Sequence, residues 1–132
     1  MRVADNVALV QRAFESLAEG GVESMLPFVH GRFEMTTPTE LASEPDTYRG
    51  HDGVRRWFDS FYDAMDEVRL EPIKLRSAGD EVAVWLRIVA RGRTTSLELV
   101  QEAAALCSLE DRKIQRIRFF VDWDEAMAEL GL

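Results

Sequence analysis

The sequence is poor in the residues on which several classes of protein depend. A single cysteine, Cys107, leaves no partner for an internal disulfide bond and is typical of a reducing compartment. His30 and His51 stand apart from any Asp, Glu or Cys at ligand spacing, so we expect no metal ion and no other cofactor. Glycine-rich phosphate loops and nucleophile elbows are missing too. With neither a signal peptide nor a long apolar run, the sequence predicts a cytoplasmic protein without membrane contact.

Positive charge is scarce as well. The chain has 16 Lys and Arg against 24 Asp and Glu, a net charge of −8. Nucleic-acid binding needs a concentrated positive face, so we expect no nucleic-acid partner. The 132 residues, 46% of them hydrophobic, suit one domain over residues 1–132 with a single core.

The clearest pattern lies between residues 81 and 122. Apolar residues occupy every second position over 82–90, which predicts a β-strand. Residues 97–109 alternate in the same way, although their Ala and Glu content is also typical of a helix. A third run covers 113–121. We expect three antiparallel strands that coil into a curved sheet, whose apolar concave face must pack on other elements.

The preceding residues supply those elements. An apolar stripe over 3–17 predicts a helix that ends at Gly20, and 22–29 predicts a second helix that Pro27 keeps short or kinked. A short strand over 33–36 and an irregular segment over 39–49 follow.

A second strongly amphipathic helix covers 54–65, with Asp52 as its N-cap. A strand over 68–78 is interrupted at Pro72, where we expect a sheet edge or a bulge. After the three strands between residues 81 and 122, Asp122 followed by Glu125 has the pattern of a capping box that starts a short final helix.

Three stretches carry a family resemblance: VQRAF at 10–14, YRGHDGV at 48–54 and KIQRIRFFVD at 113–122. With the order of elements, they resemble the nuclear transport factor 2-like superfamily, in particular its SnoaL-like and ketosteroid isomerase-like branch. The resemblance covers nearly the whole chain. It implies an α+β fold, a conical barrel or roll whose curved antiparallel sheet wraps N-terminal helices around a cavity. It also implies a homodimer formed through the outer sheet face.

The catalytic groups of the isomerase do not carry over to this chain. Its general base, before a proline, corresponds to Thr37; its tyrosine corresponds to Ala13, and its protonated aspartate to Ala105. Double-bond migration by that mechanism is therefore not expected.

Other residues remain candidates for chemistry. Asp122 is the candidate catalytic residue, as a general base at the cavity mouth, with helix capping as the alternative role. Glu40 and Glu44 are alternative acid–base groups. Gln101 faces inward in the predicted register, where a buried amide needs polar partners. Cys107 has no partner histidine motif and is interpreted as a core residue.

The predicted fold assigns one set of residues to a ligand pocket and another to a dimer interface. If the cone is not filled, an apolar ligand pocket is lined by Phe14, Phe28, Phe33, Met35, Thr37, Tyr48, Trp57, Phe61, Gln101, Ala105 and Phe119. The outer face is too apolar for water, and this predicts a homodimer interface at Trp85, Val89, Val100, Ala104 and Leu106.

Three functions fit these features. The first is a protein that binds a small hydrophobic molecule, without an assigned activity. The second is an acid–base enzyme, an isomerase, cyclase or hydrolase, acting on a hydrophobic cyclic substrate. The third is a non-catalytic dimeric interaction module whose cone is packed shut.

Overall fold

A computed structural model describes residues 3–36, 47–92, 94–95 and 97–131, with all their side chains except those of residues 3–4 and 60–67. The helices are α1 (Val3–Gly20), α2 (Val22–Met25), α3 (Gly50–Ala64) and α4 (Trp123–Glu129). The strands are β1 (Val29–Thr36), β2 (Thr47–Arg49), β3 (Met65–Ala78), β4 (Glu81–Gly92), β5 (Glu98–Glu110) and β6 (Lys113–Phe120). In this part of the chain no helix is long and apolar enough to cross a membrane.

The first helix places one apolar stripe against the sheet. Val10, Phe14 and Leu17 are buried on that stripe, as their spacing of four and three residues requires. Asn6 is fully buried on α1, and its side-chain amide donates to the carbonyl of Gly79 in the β3–β4 turn at 3.0 Å. This bond connects the start of α1 to the turn between β3 and β4.

Pro27 ends the second helix, as expected. The α-helical part stops at Met25, and Pro27 lies in the first turn of a 3₁₀ helix (Leu26–Phe28), where its missing N–H is not needed. Two boundaries differ from the prediction. Val29 belongs to a strand and not to the helix, and β1 is twice as long as predicted because it starts at Val29 instead of Phe33.

The third helix begins earlier than its apolar pattern indicates. It starts at Gly50, which has a φ of 66°, a conformation that glycine adopts without steric cost. Asp52 therefore lies in the first turn and is not the N-cap. Its carboxylate instead accepts a hydrogen bond from Arg55 Nη1 at 2.7 Å. Gly53 allows the turn to approach β2, because a Cβ there would lie 2.8 Å from the carbonyl carbon of Tyr48.

The six strands form one sheet in the order β2-β1-β6-β5-β4-β3. The three strands β4, β5 and β6 are antiparallel neighbours, as predicted, and β5 is a strand despite its helix-like composition. The β1–β6 pair is parallel, which local alternation alone does not reveal. The β3 prediction is also confirmed, since β3 is an edge strand whose register shifts between Pro72 and Lys74.

The sheet curves around the helices on its concave side. Helix α3 contacts β1 and β2 at one end of the sheet and β3 at the other edge, and α1 contacts β3 and β4. A flat sheet could not bring both ends to one helix. The predicted α+β fold, a strongly curved sheet wrapped on helices, is therefore confirmed.

The outer face of the sheet carries α4. Asp122 is its N-cap and accepts from the Asp124 N–H at 3.1 Å, so the predicted cap is confirmed. The Trp123 ring meets Trp85 of β4 edge-on, with centroids 6.1 Å apart, and Ala126 is fully buried.

This packing corrects the predicted dimer interface. Ala104 and Leu106 have no exposed surface in the single chain, and Val89 is 7% exposed. Trp85 is half-buried, and Val100 is 57% exposed. The expectation that this face meets water is wrong for Ala104 and Leu106, because α4 contacts β4, β5 and β6 there.

Candidate functional site

The concave side of the sheet encloses a small void. Its volume is about 20 Å³, space for about one water molecule. Every lining side chain is apolar, and they come from α1, α2, α3, β1, β3 and β6: Phe14, Met25, Val29, Phe33, Met35, Val54, Trp57, Phe58, Leu70, Ile117 and Phe119. An ordered water would find no polar partner on these side chains, so the void is an apolar gap in the core.

Aromatic rings form the centre of this site. The ring of Trp57 on α3 stacks on Phe119 of β6, with centroids 5.5 Å apart and an interplanar angle of 9°. Phe58 meets the Trp57 ring edge-on at 4.8 Å. Stacked and edge-on pairs are the favoured aromatic geometries. Met25 and Met35 complete the lining with flexible side chains that can change rotamer around an inserted group.

Five of the predicted pocket residues line the void: Phe14, Phe33, Met35, Trp57 and Phe119. The structure thus brings together residues from two helices and two strands that are far apart in the sequence. In the sequence, these residues were identified as aromatic or methionine residues on the apolar stripe of a helix or on the inner face of a strand.

Four other predicted pocket residues lie elsewhere. Phe28 and Tyr48 are half-buried against the core, with Arg12 and Arg56 over their rings at 6.0 and 5.1 Å. Ala105 is fully buried in the core next to Phe119 but does not line the void.

Gln101 pairs with Ile88 on the concave side, as predicted, but it is exposed. The prediction of a buried amide is therefore wrong. Gln101 lies in the part of β5 that extends past the end of its pairing with β6. Thr37, Glu40 and Glu44 lie outside the described residues, as does the side chain of Phe61.

The candidate base is not at the void. Asp122 is exposed, and its carboxylate caps α4 on the outer side of the sheet. No described carboxylate lines the void. The lining residues can therefore bind and orient an apolar molecule, but none of them can transfer a proton.

Sequence reasoning missed six lining residues. They lie on stripes that the sequence analysis assigned to the core in general: Met25, Val29, Val54, Phe58, Leu70 and Ile117. Periodicity identified their faces, but it could not locate a gap between them.

Cys107 is a core residue, as interpreted. It is a free, fully buried thiol. Burial raises the pKa of the Cys107 thiol to about 12, because the surrounding apolar groups disfavour the thiolate. A nucleophile needs the thiolate, so this residue is not a nucleophile in the folded protein.

A second cluster was not visible in the sequence. His30, Glu110 and Asp111 offer ligand atoms within 4.8 Å of one another. However, the three groups already have partners. His30 Nδ1 accepts from the Arg32 N–H at 2.9 Å, His30 Nε2 lies 3.4 Å from Asp111 Oδ2, and Glu110 accepts from Arg32 Nη2 at 2.7 Å.

This arrangement does not suit a metal ion. A metal-bound histidine usually donates its other ring N–H to an acceptor, whereas His30 Nδ1 accepts from a backbone N–H. The cluster fastens β1 to the β5–β6 turn, in which Asp111 and Arg112 have φ values of 53° and 62°. His51 has a similar structural role, with Nε2 2.9 Å from the carbonyl oxygen of Val29.

Similar structures agree with this architecture. TerC co-crystallised with polyporic acid is 19% identical, with a TM-score of 0.78 over 96% of this chain and 97% of that one. A Xanthomonas campestris protein provisionally described as a polyketide cyclase is 17% identical, with a TM-score of 0.76 over 97% and 98%.

A third neighbour comes from Catenulispora acidiphila. It has a ketosteroid isomerase-like fold, was solved in complex with trimethylamine and is 14% identical, with a TM-score of 0.72 over 94% of this chain and 92% of that one. At these identities the likeness shows the fold. No curated protein shows significant sequence similarity to this chain.

The sequence itself matches a family model, that of the SnoaL-like domain, over residues 10–117. That span includes the void-lining residues except Phe119. By sequence and by fold, the chain belongs to the SnoaL-like domain family.

Proposed function

We propose that this protein binds a small, largely apolar molecule at the Trp57–Phe119 stack on the concave side of the sheet. The observation that carries the proposal is the lining: eleven apolar side chains converge on one gap, and five of them are aromatic, on α1, β1, α3 and β6. A flat hydrophobic molecule fits such a surface. The complexes of two neighbouring folds with polyporic acid and with trimethylamine support small-molecule binding.

The volume of the void sets a condition on binding. At about 20 Å³ it is far below the roughly 300 Å³ of a typical ligand site. The bound form therefore requires Met25 and Met35 to change rotamer, or the Trp57 ring to leave Phe119. A cytoplasmic location is part of the same proposal, supported by the single unpaired cysteine.

The test is a thermal-shift screen of the purified protein with steroids, aromatic polyketides, terpenoids and fatty acids. A molecule that binds only the folded state raises Tm. Leu70→Ala removes a lining side chain and should change the order of preference toward larger ligands. Leu75→Ala is the matched control, because Leu75 lies on the same strand and packs on the core without lining the void.

Binding must be seen with the unmodified protein. A Tm shift found only with Leu70→Ala would show that the ligand fills the cavity created by the substitution, and not a site of the unmodified protein. No shift with the unmodified protein would contradict the proposal.

The small void also favours a second candidate, a non-catalytic interaction module whose interior is simply core. The same screen separates the two functions, since the module binds none of the compounds. The acid–base enzyme lacks a described proton-transfer group at the site and is not proposed.

A further inference from the structure

One wall of the void is much shorter than the others. Ten of the eleven lining residues lie on α1, on α3 or on strands of the sheet, whereas Met25 lies on α2, a helix of four residues. Helix α2 and the 3₁₀ helix that follows it form one segment, residues 22–28, which we call the flap. Met25 is 3% exposed, and its side chain closes the void on the flap side.

The flap is anchored at both ends. The chain turns from α1 into the flap at Gly21, whose φ of 79° costs glycine nothing, and the Gly21 N–H donates to the Leu17 carbonyl at 2.9 Å. At the other end Val29 pairs with Ile114 of β6, and the Val29 carbonyl oxygen lies 2.9 Å from His51 Nε2. A glycine at one anchor tolerates the change of backbone angles that a hinge requires.

Few buried groups hold the flap between these anchors. Met25 and Leu26 are buried, and the other flap residues are exposed or half-buried. The backbone hydrogen bonds of the flap are local. The Ser24 N–H donates to the Gly21 carbonyl at 3.1 Å, and the Leu26 N–H donates to the Val22 carbonyl. A segment with few buried side chains and local hydrogen bonds opens at a lower free energy than a strand inside a sheet.

An ion pair joins the flap to α3. Arg55 Nε donates to Glu23 Oε2 at 2.7 Å, and Arg55 Nη2 donates to Glu23 Oε1 at 3.0 Å, a two-pronged geometry that fixes both side chains. Arg55 Nη1 also donates to Asp52 Oδ1 at 2.7 Å, which orients the guanidinium. The hydrogen bond from Arg55 holds the pKa of the Glu23 carboxyl below its ordinary value. Arg55 follows Val54, a lining residue, so the ion pair connects two walls of the void.

We propose that the flap is the gate through which a small apolar molecule reaches the void, and that the Glu23–Arg55 ion pair is the latch that holds this gate closed. When the flap turns away at Gly21, the latch breaks and Met25 leaves the void. The space that Met25 vacates enlarges the void, which at about 20 Å³ is too small for a ligand. Entry through any other wall requires a long helix or a strand of the sheet to move.

Thiol labelling tests the gate in the protein without ligand. In Met25→Cys the new thiol lies under the flap, and the native Cys107 on β5 is a fully buried internal reference. A thiol reagent should label position 25 at least about tenfold faster than Cys107, because the flap opens more readily than the sheet. Adding Glu23→Gln should raise the rate at position 25 about 2- to 5-fold and leave the rate at Cys107 unchanged. Glu19→Gln is the matched control, because it removes the same charge from an exposed carboxylate on α1.

Binding kinetics of N-phenyl-1-naphthylamine, a neutral and flat fluorescent probe, supply the second readout. The gate rests on the proposed function in that a molecule must bind at the void. The latch is formed in the free protein and again over the bound probe. Glu23→Gln should therefore raise the association and dissociation rate constants together, about 2- to 5-fold, and leave Kd unchanged. About 1 M salt should remove the difference between Glu23→Gln and the unmodified protein, because it screens an exposed ion pair.

The two readouts separate failure of the gate from failure of the binding function. Three results would overturn the gate alone: equal labelling rates at positions 25 and 107, an equal effect of Glu23→Gln and Glu19→Gln on position 25, or probe kinetics that do not respond to Glu23→Gln. If neither the probe nor any compound of the thermal-shift screen binds, the proposed function and the gate both fail.

Discussion

The two halves of β5 belong to one strand but have opposite surroundings. Residues 98–102 are exposed on both faces, whereas residues 103–107 are buried on both. The second half has β6 on one side, β4 on the other, the core on the concave face and α4 on the outer face. The first half has β4 alone among the described strands. Burial along this strand thus follows from the layers around it, more than from its own alternation.

Side-chain size agrees with this difference. The buried half reads Ala-Ala-Ala-Leu-Cys and fits between two layers, whereas the exposed half reads Glu-Leu-Val-Gln-Glu. Small residues allow both the concave-side core and α4 to approach the sheet backbone closely. The same residues gave β5 its helix-like composition.

The largest expected effect comes from truncating one residue in the buried half. Leu106→Ala should lower the free energy of unfolding by about 2–5 kcal/mol, because Leu106 is fully buried and a cavity remains. Val100→Ala on the exposed half should change it by less than about 0.5 kcal/mol. Urea unfolding measures both.

A similar loss in the free energy of unfolding for Leu106→Ala and Val100→Ala would contradict the difference in burial between the two halves of β5. An m-value that changes with Leu106→Ala would show that the denatured or native state changed in compactness. The comparison rests on variants with unchanged m-values.

Much of the fold was predictable because its signals are local. Alternation over 82–90 identified β4, Pro72 identified the bulged edge, and Asp122 identified the cap of α4. Each signal depends on a few neighbouring residues and on their own backbone requirements. The aromatic lining at Trp57 and Phe119 was predictable for the same reason.

The errors at Gln101, Ala104 and Leu106 have one physical origin, in contacts between distant elements. Gln101 faces the concave side as predicted but is exposed, because the length of β5 relative to β6 is a property of two strands together. Ala104 and Leu106 are buried because α4 folds back onto the outer face. The cluster of His30 with Asp111 joins residues that are 81 positions apart.

A smaller effect should follow from weakening the α4 layer. Trp123→Ala removes the edge-on contact with Trp85 and the cation–π contact with Lys74 Nζ, 4.6 Å from the ring centroid. The free energy of unfolding should fall by about 1–2 kcal/mol. Val121→Ala, exposed and two residues earlier, should leave it within about 0.5 kcal/mol. If Trp123→Ala has no cost, α4 does not contribute to burial of the second half of β5.

A further prediction compares both halves of β5 within one molecule by their reactivity. In Gln101→Cys the new thiol lies on the exposed half and Cys107 on the buried half. A thiol reagent at pH 8 should label position 101 rapidly and Cys107 slowly, since burial raises the pKa of Cys107 to about 12 and blocks access. In urea the chain is unfolded and both thiols are accessible, so the fast and slow labelling phases should become one.

The same thiol predicts a pH dependence. In the unfolded chain the Cys107 thiol ionises near its ordinary pKa of 9.0, but in the folded chain its pKa is about 12. The folded state holds the proton more tightly, so the stability that this thiol contributes is present below pH 9 and is lost as pH rises toward 12. Cys107→Ala should reduce the alkaline decline in the free energy of unfolding. Rapid labelling of Cys107 in the folded protein, or an equal decline in Cys107→Ala, would mean that the second half of β5 opens readily to water.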